Sequence, residues 1–267
     1  MYQPKLRKEA KRIAKMRFGE RFLEPMLAVL TCFLPSIVLT VLLQAGLLAG
    51  GMQLILILAI YGLVQVLVFG PLFYGLMRYC IDRLHGGPQG VMDLFTVFSN
   101  GAGYLRAVKM FVCIVVRAIP WMIVPFGALY GFLQYSIWQD PTVGADADKL
   151  MQLIAQAYLL FELVLLPFKA KILRYLAGYI LLVRDPKLGP WKATGQAAKL
   201  FRGRWGELIV FFISFIGWQI FGIYTVGIGM LFYGAYLLLS FVWYAERLLD
   251  GETPPVVPPQ MDDTPPR

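Results

Sequence analysis

The sequence contains little of what a catalytic or metal site would need. Among its 267 residues there is a single histidine, His85, and the three cysteines (Cys32, Cys80 and Cys113) lie far apart. A paired-histidine metal motif is therefore impossible, and three scattered cysteines indicate neither a metal site nor a disulfide framework. Gly-x-Ser-x-Gly motifs and phosphate-binding glycine loops are absent as well. The sequence predicts no enzyme, no metal and no cofactor.

Charge is also scarce. Charged residues make up 15% of the chain and apolar residues 58%, whereas about a quarter of a soluble domain is charged. Several apolar runs exceed the roughly 18 residues that indicate a membrane-spanning helix. The net charge of +9 does not indicate nucleic-acid binding, because the basic residues are confined to particular loops, as in membrane proteins. The solvent predicted for this chain is the lipid bilayer.

The apolar runs predict an all-α integral membrane protein with about six transmembrane helices in three hairpins. An interfacial amphipathic segment is expected before each hairpin, at residues 1–23, 93–109 and 191–205. The spans are expected at residues 25–48, 54–78, 108–134, 150–168 (continuing to 183), 207–224 and 229–246. A proline-rich tail at 252–267 is predicted to be disordered.

The distribution of lysine and arginine predicts the orientation of these spans. The loop at 140–149 holds three acidic residues and one lysine, and it is therefore placed outside. Nearly all other basic residues fall in segments on the opposite side. Both termini are predicted to be cytoplasmic.

Residues 1–23 predict a basic helix on the membrane surface. Acidic residues within it and the lack of a cleavage site argue against a signal peptide. Its basic face consists of Lys5, Lys8, Lys11, Arg12 and Lys15. Each basic residue near an anionic lipid surface contributes about 1 kcal/mol to binding. The alternative is that the segment only fixes the topology.

The fourth apolar run contains Pro167 and a group of cations. A single helix over 150–183 would be about 51 Å long, so it is expected either to bend at Pro167 into the interface or to tilt steeply. Lys169, Lys171 and Arg174 follow the proline. They predict either a cationic cavity for an anion or a lipid headgroup, or an anchor whose side chains reach the phosphates.

Two further charges lie inside predicted spans. Arg117 in the third and Glu162 in the fourth are expected at similar depths when counted from opposite sides of the membrane. We therefore predict that Arg117 and Glu162 form a buried pair. A structural role for that pair is favoured over a catalytic one, because ion pairs inside proteins are retained without any catalysis.

The last predicted hairpin carries a recognisable signature. The run Ser214-Phe215-Ile216-Gly217-Trp218, followed by Thr225-Val226-Gly227-Ile228-Gly229, resembles a bacterial family of uncharacterised multi-pass membrane proteins. The resemblance implies a location in the bacterial cytoplasmic (inner) membrane, and it implies no activity, because the family has no agreed one.

The predicted function is that of a non-catalytic membrane protein acting through anionic lipids or a membrane-protein partner. The alternative is a small transporter or exporter of an anionic or amphipathic solute. It is suggested by Leu72-Phe73-Tyr74-Gly75 recurring as Leu231-Phe232-Tyr233-Gly234, because some transporters contain parallel repeats.

Overall fold

A computed structural model of the protein describes residues 4–48, 54–87, 90–144, 146–215, 217–218, 225 and 228–251. The described part is helical and contains no strand. Its α-helices are α1 (Pro4–Glu20), α2 (Leu23–Leu48), α3 (Leu54–Val64), α4 (Gly70–Leu84), α5 (Gly101–Gln139), α6 (Ala147–Arg184), α7 (Pro190–Leu200), α8 (Trp205–Ile213) and α9 (Ile228–Leu249). A π-helical turn (Gln65–Phe69) joins α3 to α4, and 3₁₀ turns lie at Val91–Ser99 and Pro141–Gly144.

Four helical stretches of the described residues are long and apolar enough to cross a membrane. They are Leu23–Leu43, Ala59–Leu84, Gly101–Gln139 and Asp148–Arg184. Large apolar side chains on them point away from the protein, including Val41 (58% exposed), Ile123 (65%) and Leu159 (61%). Exposed apolar surface of this extent is typical of helices that face lipid. The prediction of an all-α protein is confirmed for the described residues, which contain four candidate membrane-spanning helices.

The junction between α3 and α4 shows how a proline is tolerated inside a long helix. Pro71 has no N–H to donate to the carbonyl of Leu67, four residues earlier. The hydroxyl of Tyr104 donates to that Leu67 oxygen instead, at 3.0 Å. The freed backbone group is therefore satisfied by α5, and the helical path continues through the π-helical turn to Leu84.

The helix that contains the third predicted span begins earlier than expected. Asn100 ends the 3₁₀ turn and caps α5, since its side-chain oxygen accepts hydrogen bonds from the N–H groups of Ala102 (3.2 Å) and Gly103 (3.5 Å). Residues 101–109 therefore belong to the same helix as the third span. The prediction of a separate interfacial segment over 93–109 is wrong for that part.

Helices α5 and α6 form a long antiparallel pair. They contain 39 and 38 residues, which makes each of them about 57 Å long. Helix α6 runs through Pro167 without ending there. At the far end of the pair, Lys149 Nζ lies 2.7 Å from Asp140 Oδ2. The hydrogen bond from Lys149 is the main reason that the pKa of Asp140 is lowered to about 2, so this link persists at neutral pH.

The best-packed part of the protein surrounds the second half of α9, where every residue of 238–246 is buried. A helix that is buried all round must be enclosed by other helices. Helices α1, α2, α4 and α6 pack against α9, and Phe211 of α8 stacks on its Tyr244. On the other side of α6, α7 packs closely at Gly178. A Cβ added there would lie 3.3 Å from Thr194 Cα and 2.5 Å from Met110 Cε. This contact places α7 across the α5–α6 pair.

Candidate functional site

Basic and aromatic side chains meet where α7 and α8 begin against the α5–α6 pair. We call this group the cation–aromatic cluster. It consists of Arg117 and Trp121 on α5, Lys171, Arg174 and Tyr175 on α6, Trp191 on α7, and Trp205 on α8. Four helices of the fold therefore contribute to one site.

Lys171 lies between two indole rings. Its ammonium nitrogen is 4.0 Å from the centre of the Trp205 ring and 4.9 Å from that of Trp121. Both distances are within the range of cation–π attraction. The Trp205 ring is itself fixed, because its Nε1–H donates to the carbonyl of Pro167 at 3.1 Å. Trp205, the first residue of α8, therefore helps to fix the position of Lys171.

Arg174 shares the Trp121 ring with Lys171, with its Cζ 5.5 Å from the ring centre. Its Nη2 donates to the hydroxyl of Tyr175 at 2.7 Å, and Trp121 Nε1 donates to the same oxygen at 3.3 Å. Tyr175 is 4% exposed. The hydroxyl oxygen of Tyr175 accepts both hydrogen bonds, so the hydroxyl hydrogen points away from Arg174 and Trp121.

Arg117 lies one helical turn before Trp121 and contacts α7. Its guanidinium stacks on the Trp191 ring at 4.0 Å, and its Nη2 donates to the Trp191 carbonyl at 3.3 Å. These contacts hold the amino-terminal end of α7 against α5.

The three cations of the cluster, Arg117, Lys171 and Arg174, have no acidic partner among the described residues. No carboxylate oxygen of that part of the chain lies within 4.0 Å of their nitrogen atoms. The Nε atoms of Arg117 and Arg174 are buried and lack a hydrogen-bond partner there. Buried donors without acceptors are costly. The cluster is therefore positively charged and can accept an anion.

The predicted pair between Arg117 and Glu162 is wrong. Glu162 instead forms an ion pair with Lys169, seven residues later on the same helix. Depth along a helix does not determine which side of it a residue occupies, and Arg117 lies on the side of α5 that faces α7. Of the three cations predicted to form a cavity, Lys171 and Arg174 belong to the cluster, and Lys169 is neutralised by Glu162.

The five basic residues predicted to form one face of α1 differ in their exposure. Lys5, Lys8, Arg12 and Lys15 are exposed. Lys11 is turned towards the protein: its Nζ donates to the Ser214 carbonyl at 3.2 Å and lies 4.2 Å from the centre of the Phe215 ring. Burial lowers the pKa of Lys11, and the nearby Arg7 lowers it further. Lys11 thus serves to dock α1 and does not belong to the exposed face.

Comparison with known proteins places the chain in a family. A family model described as "Protein of unknown function (DUF975)" matches residues 1–251. The chain belongs to the DUF975 family. The predicted membership in a family without a known function is thereby confirmed. No curated protein and no solved structure matches the chain.

The signature segment of this DUF975 protein lies where α8 ends. Ser214 follows the last residue of α8, and Gly217 and Trp218 after it are exposed. At the start of α9, the N–H of Gly229 donates to Thr225 Oγ1 at 2.8 Å. Gly227 lies outside the described residues. The contact of Lys11 with Ser214 connects α1 to this segment, and sequence reasoning missed it because the two residues are 203 positions apart.

Proposed function

We propose that this DUF975 protein is a non-catalytic membrane protein that acts through contacts with anionic lipids. One observation carries the proposal: α1 is attached to the protein by one side only. Ala10 and Ala14 are fully buried, and the Tyr236 hydroxyl donates to the Lys11 carbonyl at 3.3 Å. The basic residues on the other side remain exposed, where phosphate groups can reach them.

We further propose that the chain crosses the bacterial cytoplasmic membrane six times, with both termini in the cytoplasm. The four candidate spans account for two hairpins. The third hairpin would consist of α8 with the residues after it, and α9. Helix α9 has 22 residues, which is about 33 Å and close to the thickness of a hydrocarbon core of roughly 30 Å. The basic residues of α1 and of the α7 region then lie on the cytoplasmic side.

The lipid proposal is tested by measuring which lipids the purified protein retains. Native mass spectrometry of the protein from mixed phosphatidylglycerol and phosphatidylcholine micelles is expected to show enrichment of phosphatidylglycerol. Replacement of the exposed face (Lys5→Gln, Lys8→Gln, Arg12→Gln and Lys15→Gln) is expected to remove most of that enrichment, because about 1 kcal/mol per basic residue is lost.

The matched control removes four exposed basic residues of the α7 region (Lys187→Gln, Lys192→Gln, Lys199→Gln and Arg202→Gln). It changes the net charge by the same amount and leaves the exposed face of α1 intact, so it should reduce the enrichment less if α1 makes the lipid contact. Equal losses in the two variants would show that only the total charge matters. Wild-type protein without any enrichment would contradict the proposal.

A second function, transport of an anionic or amphipathic solute, is favoured by the interruption of α8. This helix ends after nine residues, which is about 13 Å and less than half of a hydrocarbon core. Interrupted helices form the substrate sites of many transporters. Saturable uptake of an organic anion into proteoliposomes would select this function over the first.

A further inference from the structure

We propose that Lys171, Arg174 and Tyr175 bind one phosphoryl group at the centre of the cation–aromatic cluster. This inference deepens the proposed function and rests on it, because it assigns one defined site to the lipid contact. The site differs from the exposed face of α1, since its donors lie between packed helices.

The two cations share one indole ring. Lys171 Nζ and Arg174 Cζ both lie within 5.5 Å of the centre of the Trp121 ring. The second indole ring, that of Trp205, lies 4.0 Å from Lys171 and prevents its side chain from swinging away. The two ring distances together place the two charges no more than about 10 Å apart, and like charges at such a distance repel each other, so an anion that contacts both is stabilised. Among the described residues no carboxylate takes that place.

The hydrogen-bond donors that remain are suited to an oxyanion. Lys171 makes no hydrogen bond within the described part of the chain, so its three N–H groups are available. Arg174 uses Nη2 for Tyr175, and its buried Nε has no partner there. The Tyr175 oxygen already accepts from Arg174 and Trp121, and its hydroxyl hydrogen is therefore free to donate.

A phosphoryl group fits this donor set better than a carboxylate does. Its several oxygens can accept from the planar guanidinium, from the ammonium and from a hydroxyl at once, and arginine and lysine are the usual partners of phosphate. Tryptophan and tyrosine side chains are enriched at the depth of the lipid headgroups. The phosphoryl group can belong to a phospholipid or to a soluble phosphate.

The test measures binding to the full-length protein in neutral detergent. Native mass spectrometry follows titrations with dihexanoyl phosphatidylglycerol, with inorganic phosphate and with dihexanoylglycerol, which lacks the phosphoryl group. We expect one saturable site for phosphatidylglycerol and none for dihexanoylglycerol. Saturation by inorganic phosphate, with displacement of the lipid, would equally support the phosphoryl site and would identify a soluble ligand as its source.

Two variants locate the site. The double substitution Lys171→Gln and Arg174→Gln is expected to raise the Kd at least about tenfold, because two charge-assisted hydrogen-bonding groups are lost. Tyr175→Phe retains the ring and removes one donor, and it should raise the Kd by a smaller factor. Lys192→Gln, an exposed basic residue next to Trp191, should leave the Kd unchanged.

The inference is overturned if no ligand saturates, or if the double variant, folded as judged by its thermal transition, binds like the wild type. The variant of the α1 basic face separates this result from failure of the proposed function. That variant should lose most of its lipid enrichment and retain the saturable site. A protein that keeps its enrichment and lacks the saturable site would refute the phosphoryl site alone.

Discussion

Replacing Arg184 with glutamine is expected to lower the free energy of unfolding by about 3 kcal/mol, because it leaves a buried carboxylate without its main partner. The guanidinium at the end of α6 contacts two acidic residues at the end of α9. Nη2 lies 2.9 Å from Glu246 Oε1 and Nη1 lies 2.7 Å from Asp250 Oδ1. The side chain of Glu246 is only 6% exposed. Denaturant titration in detergent micelles measures the loss.

Two controls separate this effect from a general change in charge. Lys187→Gln removes an exposed cation three residues later and should cost less than about 0.5 kcal/mol. Adding Glu246→Gln to the Arg184 variant removes the unpaired carboxylate and should recover part of the stability. Equal stabilities of the Arg184 and Lys187 variants would contradict the account.

Gly75→Ala is expected to destabilise the protein by about 1–3 kcal/mol, because it introduces atoms into a contact that has no room for them. A Cβ at Gly75 would lie 2.5 Å from the carbonyl oxygen of Leu94 and 3.0 Å from its Cα. These are backbone atoms of the 3₁₀ turn, and they cannot move away as the end of a flexible side chain could. The turn would have to shift away from α4.

Gly62→Ala provides the matched control for this substitution. Gly62 also lies within a helix, but an added Cβ would meet nothing within 4 Å. Since alanine is favoured over glycine by roughly 1 kcal/mol in a helix, this variant should be at least as stable as the wild type. The two thermal midpoints should move in opposite directions. A lower midpoint for both variants would show that packing at Leu94 is not the cause.

The apolar runs predicted the four long apolar helices that could cross a membrane, because burial in lipid requires continuous apolar segments of known length. The ends of the helices were harder to predict. Because Asn100 caps α5, this helix begins within residues 93–109, which were predicted from their composition to form an interfacial segment. Likewise, Pro71 predicts a freed carbonyl at Leu67, but nothing in the local sequence shows that Tyr104 satisfies it.

The candidate site was predicted only in part. Lys171 and Arg174 were conspicuous because cations near apolar runs are rare. The rings of Trp191 and Trp205 come from other helices, and only the tertiary fold brings them to those cations. Arg117 was assigned to Glu162 by depth alone, and the spacing of Glu162 and Lys169 within one helix was the better guide. Lys11 was assigned to the exposed face, since its periodicity could not reveal the docking on Ser214.

The most direct test of the proposed lipid contact compares the thermal stability of the wild-type protein in nanodiscs of different headgroup charge. A lipid that binds the folded protein raises its midpoint. We expect a higher midpoint in phosphatidylglycerol than in phosphatidylcholine, and a smaller difference at about 1 M salt, where charges are screened beyond roughly 3 Å. Equal midpoints in the two lipids at low salt would contradict the claim that this DUF975 protein acts through anionic lipids.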